Sequence, residues 1–404
     1  MAISFIHTAD IHFGMENYGY IDFETGLHTR LLDFKKSLDT AISFAIEKNV
    51  DCFVFAGDAY KNSHPSPTHQ RMLLQSFLPL FNSNIPLIIV VGNHDHSGNI
   101  FKAHSLDVFN HINHRNCYII DKPKTIIIDT KSGKLQIIGI PWPSRSGVLI
   151  NNNVAFTEVS NLIYEKIKEI IKMHVNNLNK ELPAILIGHL TVNKGVFSGT
   201  ERTAILGKDP LFEVNDLAIK PIDYVALGHL HKFQDLNKGN SPAVVYSGSI
   251  DKIDFGEAKD NKGFCHVTIK NKNETTYEFI NLKTRNFIDI YFEISKLENA
   301  EKEMFMQLKH FNIKDSIVRV KYICFDNRTI EVSLINKVLK DAFFISNIKC
   351  DNEILITKKE RFYVNTNESI ENIISSYIQR SKNYNSDYNE YTNLIKEYFS
   401  IELN

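Results

Sequence analysis

Five short apolar runs in this chain end in side chains that bind metal ions, and this coupling restricts the possible folds more than any other feature. Asp10 and His12 follow Ile3–Ile6, Asp58 follows Cys52–Ala56, and Asn93 and His94 follow Leu87–Val91. His189 follows Ala184–Ile187, and His229 and His231 follow Tyr224–Leu227. Apolar runs of this length, bounded by polar residues, read as strands buried on both faces. One such ending carries little. Asp, His, Asp, Asn, His, His and His, each behind its own strand, match the ligand set of a two-metal centre and point to a metal-dependent phosphodiester hydrolase.

Amphipathic segments separate the runs. Arg30–Lys48 reads as a helix, because Leu31, Leu32, Phe34, Leu38, Ala41, Ile42 and Ala45 recur near helical spacing. Thr68–Phe81 reads as a second helix. With strands at Ile3–Thr8, Asp51–Ala56 and Pro86–Val91, the rhythm is βαβαβ, which implies a layered α/β core. Thr125–Asp129 and Leu135–Ile140 flank a Lys-Ser-Gly turn and read as a hairpin, and Phe156–Leu178 as a long helix. Strands are expected at Ala184–Ile187, Tyr224–Leu227, Ala243–Tyr246, Phe264–Ile269 and Thr276–Asn281. The later ones follow one another without helices, so a second, partly antiparallel sheet is expected, and two sheets packed between helices would fill residues 1–285.

From Arg285 the pattern changes. Phe287–Ile294, Ser316–Phe325 and Phe344–Ile348 read as strands around helices at Glu298–His310 and Glu331–Ala342, a small α/β module over residues 286–350. Residues 351–404 turn polar and carry two short amphipathic helices, Ile370–Ile378 and Tyr388–Phe399. A length of 404 residues fits such a division.

Composition limits the partners and the compartment. A formal net charge of −1 excludes bulk basicity, so nucleic-acid binding would rest on local patches or on a partner chain. The five cysteines are scattered without a Cys-x-x-Cys pair and read as free thiols in a reducing compartment. No apolar stretch reaches the ~18 residues of a membrane span, and the N-terminus opens directly on a strand, without a secretion signal. The expectation is a cytoplasmic protein.

The ligand-type residues define a chemistry. Asp-x-His puts Asp10 and His12 on the same side of an extended segment. The Asp58 carboxylate has two oxygens and can bridge two cations, while Asn93 offers a neutral amide oxygen and His189, His229 and His231 offer imidazoles. Mixed nitrogen and oxygen ligands suit Mn, Fe or Zn better than Mg; two divalent cations are expected, Mn2+ first among them. Such a pair activates water for in-line attack on phosphorus. His94, next to a ligand but not itself one, suits protonation of the leaving oxygen or stabilisation of the transition state. Gly before a ligand permits a sharp turn and a close approach of backbone to phosphate.

These motifs resemble the calcineurin-like metallophosphoesterase superfamily, whose signature is Asp-x-His, Gly-Asp, Gly-Asn-His-(Asp/Glu), Gly-His and Gly-His-x-His. The resemblance implies that Asp10, His12, Asp58 and His231 hold one ion, and Asp58, Asn93, His189 and His229 the other. It implies that His94 is catalytic and that Asp95 orients it. More narrowly, Thr8–Gly14, Ser198–Arg202, Asp223–His231, Tyr246–Ile250, Asp254–Glu257 and Lys262–Phe264 are similar to the SbcD-type DNA-repair exonucleases. That likeness covers residues 1–285. It implies 3′→5′ double-strand exonuclease and single-strand endonuclease activity, a capping domain after the catalytic one, a homodimer, and C-terminal helices that bind an SbcC-type coiled-coil ATPase. One departure is Lys61, which stands where some relatives carry histidine; a lysine can contact phosphate as a point charge.

Other candidates divide between functional and structural readings. Arg145 and Trp142, in a Pro-Trp-Pro-Ser-Arg loop, can clamp or stack on a nucleotide or pack a rigid turn, and Arg202 is a further candidate for phosphate. Lys122, Lys124, Lys131 and Lys134 flank the hairpin and fit a solvated turn better than a DNA grip. His96, His104, His111 and His114 fit a helix surface or a subunit interface. Two alternatives to a DNA nuclease stand: a phosphoesterase acting on nucleotides or other small phosphoesters, and a non-catalytic DNA-end scaffold, which would normally have lost ligands.

Overall fold

A computed structural model of the chain describes residues 2–97, 102–111, 116–144, 158–198, 209–325 and 328–351. In chain order, β1 (Ile3–Thr8) leads to helix α1 (Thr29–Glu47), β2 (Cys52–Phe55), helix α2 (Pro67–Asn82), β3 (Leu87–Val90) and β4 (Cys117–Ile120). The hairpin β5 (Lys124–Thr130) and β6 (Gly133–Ile140) precedes helix α3 (Val159–Asn176) and β7 (Ala184–His189). Next come the short pair β8 (Thr191–Val192) and β9 (Leu211–Phe212), then β10 (Tyr224–Gly228), β11 (Gln234–Asp235) and β12 (Ala243–Tyr246). The long strands β13 (Gly263–Asn271) and β14 (Glu274–Asn281) complete this part.

The strands form two six-stranded sheets, one ordered β14-β13-β1-β2-β3-β4 and the other β11-β12-β10-β7-β6-β5. Three apolar cores alternate with them. Leu31, Phe34, Leu38, Ile42, Leu73 and Phe77 of α1 and α2 cover the outer face of the first sheet. Val54, Ile88, Ile137, Ile185, Ala226 and Val267 interleave between the sheets. Ile163, Ile167 and Ile171 of α3 cover the second sheet. The result is the expected sandwich, helix–sheet–sheet–helix. The start of α2 is legible in detail: Ser66 caps it by accepting from the His69 amide at 3.2 Å, and Pro67 occupies the first turn.

The fate of the late strands differs from expectation. The second sheet is partly antiparallel, but β13 and β14 do not join it; β13 runs antiparallel on β1, from Ile3 opposite Ile269 to His7 opposite Cys265. Strand β1 is buried over almost its whole length. Its outer backbone edge would lack partners without β13. A further strand, β4, pairs parallel with β3 at the far edge and has no counterpart among the expected elements.

A three-stranded parallel sheet, β15 (Phe287–Ile294), β16 (Ile317–Cys324) and β17 (Phe344–Cys350), carries helices Ala300–Leu308 and Val332–Val338 and has a core of its own. It meets the larger body through Phe255, Phe287 and Ile317, with Tyr18 and Phe343 packed against them. Arg285 clamps this contact: it pairs with Asp33 at 2.7 Å and lies 3.5 Å over the Phe343 ring. The two C-terminal helices expected from sequence lie outside the described residues. Among the described residues, no helix is long and apolar enough to cross a membrane. All five cysteines are free, and burial pushes the Cys265 thiol up to about 12.

Candidate metal centre

Strands β1, β2 and β3 run parallel in one sheet, and β7 and β10 run parallel in the other. Their carboxyl ends meet at one rim, laced by backbone. Asp10 donates its amide to Gly57 O at 2.9 Å, and His12 donates to Asp58 O at 3.1 Å. Across the sheets, the His229 amide reaches the Asp10 carboxylate at 3.0 Å, and His189 Nδ1 lies 2.7 Å from Ala56 O. Glycine is required for this convergence: a Cβ on Gly92 would collide with Asp58, and one on Gly228 with the Ala56 carbonyl. Of the two expected uses of these glycines, Gly57 takes the sharp turn, with φ +98°, whereas Gly92 and Gly228 admit neighbouring protein backbone and side chain.

The Asp-x-His segment corrects one expectation. Asp10 and His12 come together, but not by strand alternation: both stand past the end of β1 with φ of 53° and 52°. Asp58 and His229 also have positive φ, 59° and 105°. Non-glycine residues hold this conformation at a cost of order 1–3 kcal/mol each, so the surrounding hydrogen bonds must impose it.

The side chains gather in three overlapping groups: Asp10, His12 and His231; His12, Asp58 and His94; and Asp58, His189 and His229. His12 Nε2 lies 3.1 Å from His231 Nε2. Asp58 Oδ2 stands between the groups, 3.8 Å from His12 Nε2, 3.4 Å from His189 Nε2 and 4.0 Å from His94 Nε2. Asn93 Oδ1 is 2.9 Å from His189 Nε2 and 3.1 Å from His229 Nδ1.

This donor set fits cations. Nδ1 of His189 faces a carbonyl oxygen and so carries the proton, which leaves Nε2 bare toward two oxygens, those of Asn93 and Asp58. His231 Nδ1 faces Glu257 Oε1 at 2.9 Å, which leaves its Nε2 turned toward a second ring nitrogen. Lone pairs that converge in this way need a proton or a metal ion between them. The electrostatics agree. Burial works to lower the His189 pKa, but the Asp58 carboxylate outweighs it and pushes the ring up to about 9. Burial opposes ionisation of Asp58, yet the rings of His189, His94 and His12 hold its carboxyl well below the usual range. Burial raises Asp10 to about 6 and holds His12 well below an ordinary histidine. Nitrogen and oxygen donors together suit Mn, Fe or Zn.

His94 belongs to one of the three groups but differs from the other members in exposure. Its side chain is 45% exposed, its amide donates to Asp58 Oδ1 at 2.8 Å, and its Nδ1 lies 2.7 Å from Lys61 O. Asp95, expected to orient it, is elsewhere. The Asp95 carboxylate is fully buried and accepts from the amides of Asp58 at 2.9 Å, Ala59 at 3.0 Å, Tyr60 at 3.3 Å and Gly92 at 3.1 Å. It anchors the loop that carries Asp58, and the Lys61 carbonyl holds the His94 ring in its place. These four amides and the Ser105 hydroxyl at 3.4 Å are the donors to its two oxygens. Burial, followed by the Asp58 charge, pushes Asp95 up to about 7.

The remaining candidates separate. Lys61 is held by its backbone, the carbonyl toward His94 Nδ1 at 2.7 Å and the amide donating to Phe13 O at 3.0 Å. Arg145 and Arg202 lie outside the described residues. Trp142 packs on two of the clustered imidazoles, its centroid 4.9 Å from His229 and 6.2 Å from His189. Lys134 pairs with Asp129 at 3.2 Å beside the exposed hairpin turn, whereas Lys124, at the start of β5, is partly buried and reaches Ile119 O at 2.6 Å. Among the described residues, His96, His104 and His111 join no ligand cluster; His114 is outside them.

Sequence reasoning gave no role to two carboxylates, although one of them, Glu257, closes the Asp254–Glu257 segment of the family likeness. Asp209 Oδ2 stands 3.7 Å from His229 Nε2, a buried nitrogen with no hydrogen-bond partner among the described residues. Glu257 holds His231, although it lies 26 residues further on. Neither shows a spacing that links it to its histidine.

The sequence profile of calcineurin-like phosphoesterases matches residues 3–233, a span that includes every strand ending described above. The chain is 26% identical over 386 residues to the SbcD subunit of the SbcCD nuclease of Staphylococcus epidermidis, covering 93% of this chain and 96% of that protein. It is 28% identical over 345 residues to the SbcD subunit of the same nuclease from Staphylococcus saprophyticus, covering 79% and 81%. It is 24% identical over 330 residues to the DNA double-strand break repair protein Mre11 of Archaeoglobus fulgidus, covering 74% of this chain and 64% of that protein.

Proposed function

The chain belongs to the calcineurin-like phosphoesterase family, and on that premise we propose that it is the nuclease subunit of a DNA double-strand-break repair complex. It hydrolyses DNA phosphodiester bonds with two divalent cations, Mn2+ first among them, as a 3′→5′ exonuclease on duplex ends and an endonuclease on single strands. The observation that carries the reading is the convergence of Asp10, His12, Asp58, Asn93, His189, His229 and His231 with one exposed histidine, His94, beside Asp58. The names of the relatives support DNA as substrate, and their coverage extends past the phosphoesterase profile into the small three-stranded module.

Divalent cations held by this set supply Lewis acidity and a nucleophilic water at neutral pH. The chain supplies the rest. Asp58 lies where it can serve both ligand groups, and Trp142 closes the rim beside His189 and His229. His94, with Nδ1–H donating to the Lys61 carbonyl, presents Nε2 to the substrate side, where it stabilises or protonates the departing oxygen. Lys61, Arg145 and Arg202 contact phosphates. Residues 1–285 form the nuclease domain and 286–350 the cap; 351–404 dock an SbcC-type ATPase, and the nuclease is a homodimer.

The test is digestion of end-labelled duplex DNA with Mn2+, beside bis-p-nitrophenyl phosphate. Shortening of the labelled strand is expected, reduced about 10²–10⁴-fold in His94→Ala with metal and DNA binding retained. Cleavage of the small ester alone would favour the alternative of a phosphoesterase for nucleotides or other small substrates.

A further inference from the structure

The Glu257 carboxylate is almost completely buried, with 1% of the residue exposed, and its polar contacts are all directed. Oε1 faces His231 Nδ1 at 2.9 Å. Oε2 accepts from the Ile253 amide at 2.9 Å and from Lys262 Nζ at 2.8 Å, with Ser249 Oγ at 3.4 Å. The Lys262 ammonium is buried as well and has three partners for its three protons: Glu257, the His231 carbonyl at 2.8 Å and Ser249 Oγ at 2.8 Å. Lys262 therefore grips the backbone of His231 directly and its ring through Glu257.

We propose that Glu257, braced by Lys262, is a positioning residue that sets the tautomer and ring orientation of His231 and so governs occupancy of one of the two cation sites. Stability alone is a weak reason for such a pair, because a buried ion pair can often be replaced by apolar residues of similar volume without loss. Orientation is a strong one. A carboxylate on Nδ1 forces the proton there, so Nε2 is the atom offered beside His12 Nε2 and Asp10. His189 gains the same constraint from the Ala56 carbonyl; for His231, past the end of β10, Glu257 takes that role.

This inference rests on the proposed two-cation centre, and one titration separates the two. Full-length protein stripped with chelator is titrated with Mn2+ by calorimetry, and the fold of each metal-free variant is checked by thermal melting. The apolar pair Glu257→Leu with Lys262→Met is expected to melt cooperatively yet to bind one of the two ions about 10–100-fold more weakly. Glu257→Gln cannot accept on both sides: with its amide oxygen toward Lys262 and the Ile253 amide, it turns an N–H donor to His231 Nδ1, so the same single-site loss is expected. If the apolar pair does not fold, Glu257→Asp decides: it keeps the charge opposite Lys262 but withdraws from the ring, so the same single-site loss is expected. Two wild-type affinities in the deciding variant would overturn the inference while leaving the centre intact. Fewer than two ions in the wild-type chain would overturn the centre and the inference together.

Discussion

Asp95 and His94 are neighbours in sequence with opposite environments, one fully buried and one exposed. Adjacency in a Gly-Asn-His-Asp motif suggests that the carboxylate serves the imidazole. The hydrogen bonds say otherwise: Asp95 gathers the amides of Asp58, Ala59, Tyr60 and Gly92 and so holds Asp58 in its left-handed conformation. Asp95→Ala would leave several buried donors without an acceptor, and a loss of at least about 3 kcal/mol in urea unfolding is expected. His94→Ala, at an exposed position, should change stability by less than about 0.5 kcal/mol. Equal stability of the two variants would contradict the anchoring role. The left-handed φ of Asp10, His12 and Asp58 is hidden in the sequence, because such backbone is imposed on non-glycine residues from outside the segment.

The strands carry the part of the site that is legible in sequence. A buried strand shows itself as a short apolar run, and the polar residue that ends it marks the rim; Asp58 after β2 and His189 at the end of β7 stand out in this way. What joins the two sheets at that rim is less visible. Gly228 sits where a side chain would strike the Ala56 carbonyl and touch Ala9, so it sets how closely β10 approaches β1 and β2. For Gly228→Ala we expect destabilisation of about 1–3 kcal/mol together with weakened Mn2+ binding, read by chemical denaturation and calorimetry; unchanged values in both would show that the close approach is dispensable. The return of β13 to β1 is also illegible, since pairing partners depend on which edges the remaining strands leave open. The paired roles of Glu257 and Asp209 depend on contacts across long sequence separations, which no local spacing reveals.

At the scale of the molecule, the helix–sheet–sheet–helix body follows from the alternation of apolar runs and amphipathic segments, and the separate three-stranded sheet from the change of pattern at Arg285. The contact between them has no such signal. Phe255, two residues before Glu257, packs on Phe287 at 5.0 Å and lies under Arg319 at 4.3 Å, so the turn that braces His231 also receives the small module. The proposed docking tail makes its own prediction: deletion of residues 366–404 should spare Mn2+-dependent nuclease activity and abolish co-purification with the ATPase, whereas undiminished co-purification would place docking elsewhere. Everything proposed for this chain depends on strand endings from two sheets holding two cations. Crystals grown with Mn2+ and measured at the manganese absorption edge test this directly. Two anomalous peaks are expected roughly 3.5–4 Å apart, one among Asp10, His12 and His231, the other among Asn93, His189 and His229, with the Asp58 carboxylate between them. A single peak, or peaks away from these side chains, would contradict it.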